Sequence, residues 1–213
     1  LFTESDRRAI ADAARNAEGS TSGEIVPYVV GACDDYPETG WKAAVLGGLI
    51  GGGGGVALHY IGGIWGGSVW LWVLLPLVVV ALIGASASRW SDGLRRLLIG
   101  PGVLDHRAGQ RAEVAFLEEE VFATRDRTGI LIFVALFERR VVVVGDAGIN
   151  RVVPEGAWDH VVSDVVEGIR SGRPAEALIS AIAECGRLLE AHRVEIRQDD
   201  TDELPNELRL RER

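Results

Sequence analysis

Three carboxylates stand where this 213-residue chain could do chemistry: Glu24, Asp126 and Asp146. Glu24 opens the β-branched run Glu24–Gly31, Asp126 precedes the apolar run Ile130–Phe137, and Asp146 directly follows Arg140–Gly145. If the first two runs are parallel strands and the second and third form a hairpin, the three side chains meet at one end of the sheet. Carboxylates gathered with backbone carbonyls bind a hard cation such as Ca2+ or Mg2+. A cation there would activate water for hydrolysis of a phosphate ester. The other reading is that each carboxylate caps a turn or a helix, and the sequence alone leaves both open.

Other chemistry finds less support. The chain has no GxSxG, Walker loop, HExxH or strand-linked DxD pattern, each of which places a nucleophile, a phosphate or a metal on a defined element. His59, His106, His160 and His192 fall on separate segments, and Asp34-Asp35 reads as a solvated turn. Cys33 and Cys185 belong to no CxxC and read as reduced structural thiols. With 22 basic against 31 acidic residues and a net charge of -9, the chain lacks the concentrated positive charge that nucleic acid requires.

The elements that must hold those carboxylates follow from periodicity. Ala9, Ile10, Ala13, Ala14 and Ala17 recur at helical spacing, with Thr3 as N-cap and Asp6 three residues on. The same polar start lacks the basic and apolar regions of a signal peptide. Pro27 cannot donate to a ladder, so the strand around it is an edge or carries a bulge. Asp105 caps a helix running to Ala123, with Val114, Leu117 and Val121 and also Ala112, Ala115, Phe116 and Phe122 on a broad apolar face, and Glu138-Arg139 turns one strand into the next. Glu155–Ser171 and the helix opened by Pro174 each carry one apolar stripe.

Between the first strand and the rest lies a segment of a different kind. From Ala43 to Ser88, His59 is the one side chain able to carry charge near neutral pH. Two apolar runs, Ala43–Tyr60 and Val69–Ser86, each extend about 27 Å as helix, close to the roughly 30 Å hydrocarbon core of a bilayer. Buried helices of a soluble core are the competing reading, but neither run has a polar face. Trp41, Trp65, Trp70, Trp72 and Trp90 flank the runs, where indole rings favour the headgroup boundary. Gly47/Gly51, Gly48/Gly52 and Gly51/Gly55 form GxxxG pairs suited to close helix packing, against the second run or against another chain. The expectation is a hairpin of two spans. Lys42, Arg89, Arg95 and Arg96 lie near its ends and the connecting loop is uncharged, which puts the soluble part in the cytoplasm by the positive-inside rule.

The expected order is helix, strand, membrane hairpin, helix, strand, strand, helix, helix: a small α/β domain with a mixed sheet, interrupted after its first strand. Phe2-Thr-Glu-Ser-Asp6, Thr21-Ser-Gly-Glu24-Ile, His106-Arg-Ala-Gly-Gln-Arg-Ala112, Thr128-Gly-Ile-Leu-Ile-Phe133, Glu138-Arg-Arg-Val141, Gly145-Asp-Ala-Gly-Ile149 and Trp158 occur in that order. Together they resemble the TPM domain family, named for thylakoid, photosystem-repair and nematode receptor-associated members. The resemblance implies an α/β/α sandwich, with phosphatase-like activity and divalent-metal binding in some members. Domain limits are expected at 1–40 and 91–193 for the two parts of the α/β domain, 41–90 for the hairpin and 194–213 for a charged flexible tail. The favoured function is a non-enzymatic, membrane-anchored accessory or scaffold for membrane protein complexes. Its expected partners are the lipid bilayer and either membrane proteins or a second copy through the glycine-rich helix. The alternative is a metal-dependent phosphatase-like hydrolase using Glu24, Asp126 and Asp146.

Overall fold

The computed structural model describes residues 2–61, 68–192, 194 and 203–212. Its contacts divide the chain into two units, 1–33 with 105–213 and 34–104. The loop expected between the apolar helices, with Trp65, lies outside the described residues, as does 195–202 of the charged segment.

In the first unit α1 (Glu4–Glu18) begins at a capping box: the Asp6 N–H donates to Thr3 Oγ1 at 3.2 Å and the Thr3 N–H to Asp6 Oδ2 at 2.8 Å. Those bonds to Thr3 hold the exposed Asp6 carboxyl below its ordinary pKa. A four-stranded sheet follows, built from β1 (Glu24–Val30), β2 (Gly129–Ala135), β3 (Arg140–Gly145) and β4 (Arg209–Arg211) in the order β3-β2-β1-β4. β1 runs parallel to β2 and to β4, and β2 runs antiparallel to β3, so the sheet is mixed.

The donors of β1 account for Pro27. The Glu24 N–H donates to Thr128 O on the β2 side at 3.2 Å, so odd-numbered residues turn theirs to the opposite edge. There the Ile25 N–H meets Glu18 Oε1 at 2.8 Å and the Gly31 N–H meets Arg211 O at 3.0 Å. Pro27 has no N–H to place, and β4 begins opposite Tyr28, just beyond it. No bulge is needed.

Alternation along the strands sends side chains to two cores. Ile25, Val29, Ile130, Ile132 and Val141 pack with α1, α7 (Asp159–Arg170) and α8 (Pro174–Ala191). Val26, Tyr28, Leu131 and Phe133 pack beneath α5 (Pro101–Glu118). The result is the α/β/α sandwich. Its second layer is narrower than the expected face: α5 presents Ala112 and Ala115, as expected, together with Ala108 to the sheet, while Val114 and Leu117 are 45% and 62% exposed. Small residues let the helix lie close to the large Tyr28 and Phe133 rings, which stack at 5.5 Å. α5 starts at Pro101, after Gly100 at φ 84, and ends at Glu118, the first of the run Glu118-Glu119-Glu120. A proline suits a helix start, and acidic residues oppose the C-terminal dipole.

The charged tail is corrected in part. Arg209 and Arg211 both reach Glu119, at 3.1 and 3.4 Å, and β4 lies along β1 where Gly31 leaves room for it. Counter-charges distant in sequence convert a solvated run into a strand.

The second unit is helical: α2 (Glu38–Ile61), α3 (Val69–Trp90) and α4 (Asp92–Ile99). α2 and α3 are long and apolar enough to cross a membrane. They pack antiparallel through absent side chains. A Cβ on Gly47 or Gly84 would stand 2.5 Å from Val80 O or 2.6 Å from Ala43 O, and one on Gly51 or Gly55 would collide with the carbonyls of Pro76 or Trp72. The glycine face therefore meets the second helix of the same chain. Large apolar side chains point the other way, Leu49 70% and Leu82 63% exposed. A soluble core helix would bury such residues.

Candidate functional site

The strand register brings the three expected segments to one end of the sheet. Glu24 pairs with Gly129, and the Asp146 N–H donates to Gly129 O at 2.9 Å. A cleft of about 300 Å³ opens there, lined by Ser22, Asp126, Thr128 and Arg151 among others. Of the expected carboxylates, Asp126 lines this cleft.

Glu24 and Asp146 are turned to other work. Glu24 is 6% exposed, and its two oxygens accept from the N–H groups of Glu203 at 3.2 Å and Leu204 at 3.4 Å, fastening the C-terminal segment to the start of β1. Asp146 is 5% exposed. Arg127 grips it with both arms of its guanidinium, Nε to Oδ2 at 2.6 Å and NH2 to Oδ1 at 2.9 Å. The same Oδ1 caps α6 (Ala147–Asn150) by accepting from the Ala147 N–H at 2.6 Å. The bonds to Asp146 raise the Arg127 pKa further above its ordinary value.

Holding that grip requires an unusual backbone. Arg127 adopts φ 58, a left-handed conformation that side chains other than glycine rarely take. Gly148 is required beside it, because a Cβ there would collide with the carbonyls of Asp126 and Arg127, while its N–H donates to Arg127 O at 2.8 Å. Nothing in the local sequence marks Arg127 as the partner of a carboxylate 19 positions away. The glycine at 148 was the one available signal, since such a residue can mark a close backbone approach.

Divalent-metal binding can be tested against these donors. Among the described residues no three of the His, Cys, Asp and Glu side chains are grouped to hold a metal ion. A cation at Asp146 would have to displace a guanidinium bonded to both oxygens, and one at Glu24 would release two backbone N–H groups. The arrangement does not fit a cation shared by the three carboxylates. What the cleft offers instead is one carboxylate, Asp126, with the Arg151 guanidinium and two hydroxyl residues, Ser22 and Thr128. Thr128 Oγ1 donates to Ser22 O at 2.7 Å. Both cysteines are free thiols, Cys33 half-buried and Cys185 buried.

Residues 104–188 match the family model described as the TPM domain. This span contains α5 from Leu104 onward, β2, β3 and α7; α1, β1 and β4, which complete the sandwich, lie outside it. A solved structure with a similar fold is the NMR structure of the BA42 protein from the psychrophilic bacterium Bizionia argentinensis, with a TM-score of 0.60 and 21% sequence identity, covering 99% of this chain and 95% of that one. At that identity the likeness is one of fold. No curated protein matches the chain.

Proposed function

We propose, for a chain that carries a TPM domain over residues 104–188, a role as a membrane-anchored, non-enzymatic accessory or scaffold for membrane protein complexes. The observation that carries this reading is the outer surface of the α2–α3 pair. Leu46, Leu49, Ile50, Leu71, Leu74 and Leu82 are each at least half exposed on two helices long enough to cross a bilayer. In water that surface would drive aggregation; in lipid it is solvated. Gly47, Gly48, Gly51, Gly52 and Gly55 of α2 face α3, so partners are met by the leucine-rich outer face and by Gly53 and Gly54, which have open space beside them.

The cytoplasmic side is part of this proposal. Lys42 Nζ donates to Leu98 O at 3.3 Å and Arg95 to Asp35 O at 3.0 Å, so basic residues from before and after the hairpin gather at one of its ends. That gathering favours retention of this end on the cytoplasmic side. A cysteine introduced at Ser68 should be labelled in intact cells by an impermeant thiol reagent. Protection of that site with labelling of Cys33 would reverse the orientation.

The scaffold role is tested by purifying the full chain in mild detergent and identifying membrane proteins that accompany it. The hydrolase reading is tested on the same preparation, by titrating Ca2+, Mg2+ and Mn2+ while following thermal stability and phosphate-ester turnover. Turnover abolished by Asp146→Asn or Asp126→Asn would replace the scaffold with an enzyme. An inert preparation that retains defined membrane partners supports the scaffold.

A further inference from the structure

We propose that α4 lies in the plane of the bilayer surface, with Leu97 and the neighbouring Trp90 and Trp41 at the boundary between headgroups and acyl chains. The chain would then meet lipid through three helices, two that cross it and one that rests in its surface. This rests on the reading of α2 and α3 as membrane spans and adds to it a lipid-binding surface that is not a span.

The sidedness of α4 is the reverse of what water selects. In Asp92-Gly-Leu-Arg-Arg-Leu-Leu-Ile99 a helix of a soluble protein would turn its leucines inward and its arginines out. Arg95 is turned to the protein instead. Its side chain is 22% exposed, one guanidinium nitrogen lies 3.6 Å from Asp92, and another donates to Asp35 O at 3.0 Å. Leu97, two positions on and so about 200° away around the helix axis, is 78% exposed.

One exposed leucine needs no explanation, but large apolar neighbours share its exposure. Trp90, the last residue of α3, is 91% exposed. Ser91 joins it to α4 and caps that helix, its Oγ accepting the Leu94 N–H at 3.3 Å. Trp41 is 60% exposed, and Lys42 beside it donates to Leu98 O at 3.3 Å. Both indoles therefore stand near α4, at the end of the helical pair where the chain enters and leaves it. Indole rings favour the headgroup boundary.

Packing fixes the helix in this attitude. α4 lies against both α2 and α3, with Ile99 5% exposed. Lys42 holds its C-terminal turn, where a cation complements the helix dipole, and Arg95 holds its middle. With those two cations engaged on backbone carbonyls, the outer side of α4 is left to leucine. The apolar surface runs on from the α2–α3 pair through Leu82, Ile83 and Trp90 to Leu97, so the occupant that fits is the lipid already around that pair. Arg89, exposed in the last turn of α3, supplies a cation for lipid phosphates beside it.

The test uses the full chain with Cys33 replaced by serine and the buried Cys185 left in place, reconstituted in vesicles of phosphatidylcholine and phosphatidylglycerol. One nitroxide at a time is attached through Leu97→Cys, Leu82→Cys or Arg170→Cys, and power-saturation EPR with oxygen and a water-soluble nickel chelate reads the depth of each. The Leu97 label should lie about 5–10 Å below the phosphates, the Leu82 label deeper, and the Arg170 label in water. A Leu97 label as open to nickel as the Arg170 label overturns the proposal, and a deep Leu82 label in the same vesicles leaves the spans standing. Nickel access at Leu82 and Leu97 alike removes the spans as well. Protection of the Leu97 label from nickel and oxygen together, or dipolar broadening that disappears on dilution with unlabelled chain, places protein over this face and also overturns the proposal.

Discussion

The carboxylate of Glu138, 1% exposed at the β2–β3 turn, accepts the backbone N–H of Cys33 at 2.8 Å, across 105 positions of sequence. Arg140, at the start of β3, pairs with Asp105. Cys33 is the last residue of the α/β unit before the helical insertion and Asp105 the first after it. Both attachment points of the insertion are thus fastened to one turn of the sheet. Glu138→Ala should lower unfolding stability by about 1–3 kcal/mol, the cost of a buried N–H left without its acceptor. Glu138→Gln keeps a carbonyl oxygen in place and should cost less. Denaturant unfolding of the two variants in detergent checks the order.

Asp146 gives a second stability test. Arg127→Gln leaves a nearly buried carboxylate with the Ala147 N–H but without its guanidinium. Because Arg127 is itself half exposed, the loss should be clearly smaller than that of breaking a fully buried pair. Thermal unfolding reads it, and a loss near zero would mean that water replaces the arginine.

The helical pair predicts a cross-link. A Cβ on Gly48 would lie 3.7 Å from that of Ala81, within the Cβ separation of about 3.5–4.5 Å that a disulfide requires. In a background with Cys33 and Cys185 replaced by serine, Gly48→Cys with Ala81→Cys should oxidise to an intramolecular disulfide, seen as a mobility shift removed by reductant. Gly54→Cys with Ala81→Cys should not, since Gly54 has nothing within 4 Å. Adding Gly51→Leu, whose side chain would meet the Pro76 carbonyl, should abolish the first cross-link.

Docking of β4 should be separable from folding of the sandwich. A Cβ on residue 31 would stand 2.7 Å from Glu212 O, so Gly31→Ala should release Arg209–Arg211 without emptying either core. Hydrogen exchange would show lost protection at Val29 and residue 31 and unchanged protection in β2. Glu119→Gln should act in the same direction and more weakly.

The thiols should differ in reactivity and in their response to alkali. Burial pushes the Cys185 pKa up to about 12 from an ordinary 9.0. The folded chain then keeps a proton that the unfolded chain releases. Its contribution to stability is intact below pH 9 and is lost as pH rises from about 9 toward 12, by at most about 1.4 kcal/mol per pH unit. Alkaline unfolding should be less steep in Cys185→Ala. In the native protein at pH 8 a thiol reagent should modify the half-buried Cys33 and spare Cys185 until the chain unfolds.

What could be read along the chain was whatever local chemistry decides. The capping box of Thr3 and Asp6, the β-branched runs of β1 to β3 and the uncharged interval from Ala43 to Ser88 each declare themselves within a few neighbouring residues. The mixed sheet follows as well, because a short turn forces β3 antiparallel to β2 while a long connection permits β1 to run parallel. At the candidate site, the backbone convergence of Glu24, Asp126 and Asp146 belongs to this class.

Tertiary structure decided where those side chains point and which charges they meet. Arg127 was needed to show that Asp146 is bound to a guanidinium, and Glu119 to show that the charged end of the chain becomes a strand. Helical periodicity put Ala112 and Ala115 on one broad apolar face with Val114 and Leu117; that the alanines turn to the sheet and the larger pair does not was decided by the stacked rings of Tyr28 and Phe133, which set the height of that face. The same holds for Gly47, Gly51 and Gly55, whose partner is the backbone of α3. Secondary structure and solvent preference are set by neighbours a few bonds away; the pairing of buried charges and the filling of space depend on residues that only the folded chain brings together.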